Sequence, residues 1–136
     1  MSQRTERVDE LLDLKRTIYR WYSERLADRS DLKLYSSANV GVVWWMVSVL
    51  VDPTTGWDKD TLQDALSMSG IDTRPVFRPL SSLPAYSAEA QALVARERNS
   101  VAYRVSPYAL NLPTALSLTE GDVDRVCAAL IALLER

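Results

Sequence analysis

The sequence predicts a mixed α/β layer, in which helices pack on a small sheet. Three observations predict it. Apolar residues recur at three- and four-residue spacing at both ends of the chain. Short runs of β-branched and aromatic residues lie between those ends. A helix-capping signal followed by a glycine stop separates two of these runs. The chain has 136 residues, 47% of them hydrophobic and 25% charged. That is one domain's length, and its composition argues against disorder.

In residues 6–28, Val8, Leu11, Leu12, Ile18, Tyr19, Tyr22 and Leu26 keep helical spacing, and Asp9, Asp13, Arg16, Arg20 and Glu24 mostly take the other faces. This long helix either packs its apolar face on the core or expects another body beside it. Residues 32–35 read as a short strand and 36–39 as a loop. Residues 42–51 are rich in β-branched and aromatic residues, apolar on both faces, and predict a central strand covered on both sides. Trp44 and Trp45 would then point to opposite faces, one into the core and the other toward a cleft. Asp52-Pro53-Thr54-Thr55-Gly56 ends the strand with turn chemistry.

Asp58 is placed to cap a helix in which Leu62, Ala65, Leu66 and Met68 supply the period, and Gly70 supplies the stop. Residues 71–74 start a strand that Pro75 confines to an edge. Residues 76–86 hold Pro79 and Pro84 without a clear period and read as an ordered loop. Ser87 would cap a helix to Arg98 with Ala90, Leu93 and Val94 inward, and 100–108 a further short helix or turn. Residues 110–113 read as a short strand. Thr119 and Asp122 resemble a capping box for the closing helix, where Val123, Val126, Cys127, Leu130, Ile131 and Leu134 form one stripe. Cys127 in that stripe is a small buried apolar residue.

Composition excludes much chemistry. Histidine is absent, which removes Ser-His-Asp and Cys-His catalysis and the commonest zinc ligand sets. One cysteine allows no intrachain disulfide. The only lysines are Lys15, Lys33 and Lys59. A net charge of −2 gives no electrostatic footprint for nucleic acid. The first residues lack the apolar region of a secretory signal, and the longest apolar run, 40–51, is too short to span a membrane. The expectation is a cytoplasmic protein with no membrane and no nucleic-acid partner.

The most unusual stretch is Gly70-Ile71-Asp72-Thr73-Arg74-Pro75-Val76-Phe77-Arg78-Pro79-Leu80-Ser81-Ser82-Leu83-Pro84-Ala85-Tyr86. Prolines lower the entropy cost of holding one loop shape, and arginine presents a planar fork to phosphate or carboxylate. It reads either as an anion- or nucleotide-facing loop or as a surface loop whose arginines pair with nearby acids. Arg96, Arg98 and Arg104 make a loosely basic region whose ordinary state is a solvated face.

Trp44-Trp45-Met46 with Val49-Leu50-Val51 resembles the strand that opens the small domain of DegT/StrS-type sugar aminotransferases. The stretch from Gly70 to Leu80 is similar to that family's G-I-x-T-R-P-x-F-x-P-L signature. Leu110-Asn111-Leu112-Pro113, then Leu118-Thr119-Glu120 and Val123, resembles its closing N-L-P…L-T-x-x-D-V pattern. The opening helix, from Arg7-Val8-Asp9-Glu10-Leu11-Leu12 through Tyr22 to Leu26, is similar to the helix linking the family's large and small domains. Within the family, the perosamine synthase branch is the most similar.

The resemblance implies the small C-terminal domain of a fold-type I aminotransferase, with residues 1–28 as a linker helix to a missing large domain and 29–136 as the small domain. It implies a cytoplasmic pyridoxal-phosphate transferase acting on nucleotide-linked keto sugars, in polysaccharide biosynthesis. The large domain would supply the cofactor lysine, the acidic partner of the pyridine nitrogen and the phosphate-binding hydroxyls. No cofactor-binding, catalytic or metal-binding residue is therefore expected in this chain. Arg74, Phe77, Arg78, Ser81 and Tyr86 are the implied substrate contacts. Arg78 would meet a phosphate oxygen and Phe77 a sugar or base, while Arg74 either joins them or pins the strand end. Ser81 stands where many relatives carry histidine. The implied partners are a large-domain aminotransferase chain, a second copy in a homodimer and a nucleotide-sugar ligand. The alternatives are a non-catalytic binding or interaction module and an inactive remnant. Apolar surface is expected on the Tyr19/Tyr22 face and the loop after Arg74.

Overall fold

The computed structural model describes residues 7–37, 41–86 and 88–135, which form five α-helices and a four-stranded sheet. The order is α1 (Val8–Leu26), β1 (Leu32–Leu34), β2 (Val47–Val51), α2 (Lys59–Met68), β3 (Arg74–Pro75), α3 (Ala90–Arg98), α4 (Ser100–Val105), β4 (Ala109–Leu112) and α5 (Glu120–Leu134). The strands run β1-β2-β4-β3 across the sheet, every neighbouring pair antiparallel. The mixed helix-on-sheet layer expected from the sequence is the fold. The expected cap Ser87, the loop residues Ala38 and Asn39, and residues 1–6 lie outside the described residues.

One face of the sheet carries the core. Val47, Val49 and Val51 of β2 and Leu110 and Leu112 of β4 point there, against Ile18, Tyr22 and Leu26 of α1, Leu62 and Leu66 of α2, and Val123, Val126, Cys127 and Leu130 of α5. Alternation along β2 exposes Ser48 and Leu50 to the other side, where they are half-buried. The strand is thus buried on one face, not covered on both. It is also shorter than expected, because residues 42–46 lie outside the sheet.

Other interactions take that segment. The Trp44 ring stacks on Tyr19 of α1 with centroids 3.6 Å apart, and the Trp45 carbonyl accepts from Lys15 Nζ at 3.2 Å and Thr114 Oγ1 at 3.0 Å. Trp44 and Trp45 do not straddle a strand: Trp44 is half-buried and Trp45 exposed. Nor is the Tyr19/Tyr22 face open. Tyr22 is fully buried and donates its hydroxyl to the Pro113 carbonyl at 2.9 Å, while Tyr19 is half-covered by Trp44.

Both helix-start signals are realised. Asp58 accepts from the Thr61 amide, with the Thr61 hydroxyl returning to the Asp58 amide, and Thr119 and Asp122 make the same reciprocal pair. Gly70 has φ +71°, the left-handed conformation of a helix stop. Met68 is 85% exposed: two residues past Leu66 it sits about 200° further around the helix. In α3 the expectation fails. Ala92 is the buried residue, whereas Ala90, Leu93 and Val94 are exposed. The reason is that α3 packs against the 3-10 turn at Leu80–Ser82 and against α4 instead of the main core. Arg25 of α1 joins α5 through Asp124 and through Glu120 at 2.8 Å.

Candidate functional site

The loop after β3 leaves the sheet at its edge. There Pro75 costs no ladder bond, and the Val76 amide donates to the Ala109 carbonyl at 3.1 Å. From below, Lys59 of α2 reaches the Val76 carbonyl with Nζ at 3.0 Å. The chain then folds into the 3-10 turn at Leu80–Ser82, where Ser82 Oγ donates to the Pro79 carbonyl at 2.7 Å. Ser81 Oγ lies 2.9 Å from the Tyr103 hydroxyl of α4, tying the turn to the next helix. Two prolines and these bonds give the loop a fixed path.

The five residues singled out from the sequence are distributed along it. Arg74 stands opposite Asn111 of β4 and pairs with Asp72 at 3.0 Å. Phe77 is 83% exposed, the most exposed aromatic side chain of the described residues. Arg78 pairs with Asp60 of α2 at 3.0 Å. Both ion pairs are exposed and so worth little, which leaves each guanidinium available to a stronger oxyanion. Ser81 and Tyr86 line one hollow of about 910 Å³ with Leu80, Val94 and Arg98. Phe77 lines another of about 250 Å³ with Tyr35, Trp44, Trp45 and Asn111. Arg78 borders a third around Lys59 and Tyr103, and Arg74 a fourth beside Arg125. The structure brings Ser81 and Tyr86 together but places the two arginines in separate hollows.

Two lysines matter to this geometry in a way their sequence context did not reveal. Lys59 is 3% exposed, and burial, helped by nearby Arg78, holds its ammonium below the usual lysine range. Lys15 donates to the Trp45 and Thr114 carbonyls, and burial lowers its pKa as well. Both act as staples on backbone carbonyls: Lys59 for the start of the loop, Lys15 for the turn carrying Trp45. Tyr35 is 61% exposed and meets the Trp44 ring edge-on at 6.4 Å. Among the described residues no cluster of three potential metal ligands occurs, and no helix is long and apolar enough to cross a membrane.

Comparison with known proteins gives a consistent picture. The family model described as DegT/DnrJ/EryC1/StrS aminotransferase matches residues 1–131. GDP-perosamine synthase of Caulobacter vibrioides is 34% identical over 131 residues, covering 95% of this chain and 34% of that enzyme. Among solved structures, DesI in the presence of its TDP-sugar product superposes with a TM-score of 0.82 at 24% identity, covering 97% of this chain and 33% of that one. DesV of S. venezuelae, in complex with a ketimine intermediate, superposes with a TM-score of 0.76 at 26% identity, covering 98% and 34%. The chain spans about a third of the length of the curated relatives it matches.

Proposed function

Because the chain belongs to the DegT/DnrJ/EryC1/StrS aminotransferase family, we propose that it is the small C-terminal domain of a perosamine-synthase-like aminotransferase for nucleotide-linked keto sugars. Residues 1–28 would be the helix leading from a large domain and 29–136 the small domain itself. The observation that carries the reading is the loop after β3: it presents Phe77 to solvent between two arginines whose carboxylate partners among the described residues are exposed. In this role Phe77 packs on the sugar or base. Arg78 exchanges Asp60 for a phosphate oxygen, and Arg74 does the same from the sheet edge. Ser81 and Tyr86 border the approach.

Pyridoxal phosphate supplies the electron sink for transamination when bound to the family's enzymes. The residues of this chain do not fit it. An imine needs a lysine amine free to react. Lys15 and Lys59 are committed to backbone carbonyls. Lys33 lines a hollow to which no carboxylate contributes, so the acidic partner of a pyridine nitrogen has no counterpart there. On this reading the cofactor belongs to a large-domain chain, and this chain contributes to the sugar-nucleotide pocket and to the surface of a dimer.

The test is titration of the isotope-labelled chain with a GDP-linked hexose, followed by NMR. Shifts at Phe77 and at the Arg78 side chain are expected. Unchanged spectra at millimolar ligand would sink the contact role of the loop.

A further inference from the structure

One row of residues crosses the whole sheet. The Tyr35 amide donates to the Ser48 carbonyl at 3.1 Å, Ser48 stands opposite Asn111, and Asn111 stands opposite Arg74. Val47, Val49, Leu110 and Leu112 fill the core face, so alternation turns Ser48 and Asn111 to the open one. Directly opposed side chains lie about 5 Å apart and share a face. The Ser48 hydroxyl bridges its gap and donates to Asn111 Oδ1 at 2.6 Å. A carboxamide held by its oxygen keeps both N–H donors on the nitrogen. Among the described residues Asn111 Nδ2 has no hydrogen-bond partner.

Asn111 lines two hollows. One, of about 430 Å³, contains Arg74. The other, of about 250 Å³, is bordered by Tyr35, Trp44, Trp45, Phe77 and Ser48, and no charged residue among those described lines it. Its charge and its size point the same way. A phosphate entering it would lose hydration with no cation in return. Its volume of about 250 Å³ lies below the roughly 300–1,000 Å³ of pockets for drug-sized molecules, so it suits one ring and not a whole nucleotide. Tyr35, Trp45 and Phe77 are exposed at its rim. A hexose ring has apolar C–H faces and a polar edge. Aromatic side chains match the faces, and one fixed N–H donor matches an oxygen on the edge.

We propose that Asn111 is the residue of this chain that selects the sugar: the hexose ring packs among the aromatic side chains of this hollow, and one of its oxygens accepts from Asn111 Nδ2. Ser48 is the positioning residue that holds the amide. The assignment rests on the nucleotide-sugar reading above and deepens it. The phosphates stay with Arg78 and Arg74, and Arg74, next to Asn111 in the row, marks where sugar gives way to phosphate. A sugar without that oxygen leaves the amide unpaired, which is how the pair discriminates.

The experiment measures binding of GDP-mannose and of GDP to the intact chain by calorimetry, with urea unfolding of each variant. Asn111→Ala is expected to weaken GDP-mannose binding roughly five-fold, the net effect of one neutral hydrogen bond, and to leave GDP binding unchanged. Ser48→Ala should weaken GDP-mannose binding less and add nothing in the Asn111→Ala background, and Ser48→Thr, which keeps the hydroxyl, should restore it. A pair that only fixes the strand register would lower the urea midpoint and shift both ligands alike. That result, or undiminished GDP-mannose affinity in Asn111→Ala, overturns the proposal. Where Asn111→Ala does not fold, Ser48→Ala decides, and an unchanged preference for GDP-mannose over GDP overturns it. The two readings fail differently. GDP-mannose binding that depends on Arg78 but not on Asn111 removes this assignment and leaves the loop reading standing. Binding that depends on Asn111 but is unchanged in Arg74→Ala and Arg78→Ala removes the loop's phosphate contacts and keeps this assignment. No binding at millimolar GDP-mannose removes both.

Discussion

Tyr22→Phe gives a stability test with a change of sign. The Tyr22 ring is fully buried under α5, and its hydroxyl donates to the Pro113 carbonyl at 2.9 Å. Removing only the oxygen keeps the packing and deletes one hydrogen bond, a loss of about 1 kcal/mol near pH 7. Burial drives the Tyr22 phenol well above its ordinary value of 10.0. Above pH 10.0 the unfolded chain releases this proton and the native chain keeps it. Native stability then falls by about 1.4 kcal/mol per pH unit until the native phenol titrates. The phenylalanine variant lacks this loss. Cys127, whose thiol burial pushes up to about 11, is present in both proteins. Urea unfolding followed by tryptophan fluorescence at a series of pH values measures the difference. The variant should be the less stable protein at pH 7, and the two curves should cross roughly one unit above pH 10. A constant difference across that range would refute the buried, proton-holding phenol.

Three further outcomes follow from the same geometry. Gly70→Ala should cost about 1–2 kcal/mol, because φ is +71° and an alanine Cβ would also meet Arg125 Nη2 at 3.0 Å; an unchanged urea midpoint contradicts it. Lys59→Met keeps the stem but frees the Val76 carbonyl, so amide exchange at Ser82 and Leu83 should speed up while Val49 in the core stays protected. Equal protection throughout would show that the loop does not depend on this staple. The Asp122 carboxylate is held below its ordinary range by the Thr119 amide and hydroxyl, so its stabilisation is present above pH 3.8 and lost as acid protonates the native group. The gap in thermal midpoint between the natural chain and Asp122→Ala should therefore close in acid, and a gap that persists there counts against the cap.

Local signals with a fixed chemistry were legible. The Asp58 cap, the Thr119–Asp122 pair, the Gly70 stop and the edge position of Pro75 each depend on residues within a few positions of one another, and each appears where the sequence places it; the return bond of Thr61 to Asp58 is added by the structure. The core stripe of α5 was legible for the same reason, apart from Ile131 and Leu134, which are half-buried while Leu133 takes the inner position. Features set by distant partners were not. Residues 42–46 have ideal strand composition, yet Tyr19, Lys15 and Thr114 claim their rings and carbonyls from far along the chain. The inner face of α3 was misread because its partner is the 3-10 turn before it, and an alanine-rich helix fits several registers against so small a neighbour. For the site, the motif singled out Arg74, Phe77 and Arg78, and the structure places all three at the surface. Composition alone counted three lysines, but only the structure separates the two used as staples from Lys33.

On the proposed reading this chain is one part of a transaminase whose cofactor is held by the large domain. The direct measurement combines the purified chain with a chain carrying the family's large domain, pyridoxal phosphate, an amino donor and a nucleotide-linked keto sugar, and follows formation of the amino sugar. Turnover only in the mixture is predicted, with no lysine of this chain trapped by borohydride. Turnover by this chain alone, or an imine reduced onto Lys15, Lys33 or Lys59, would contradict the account.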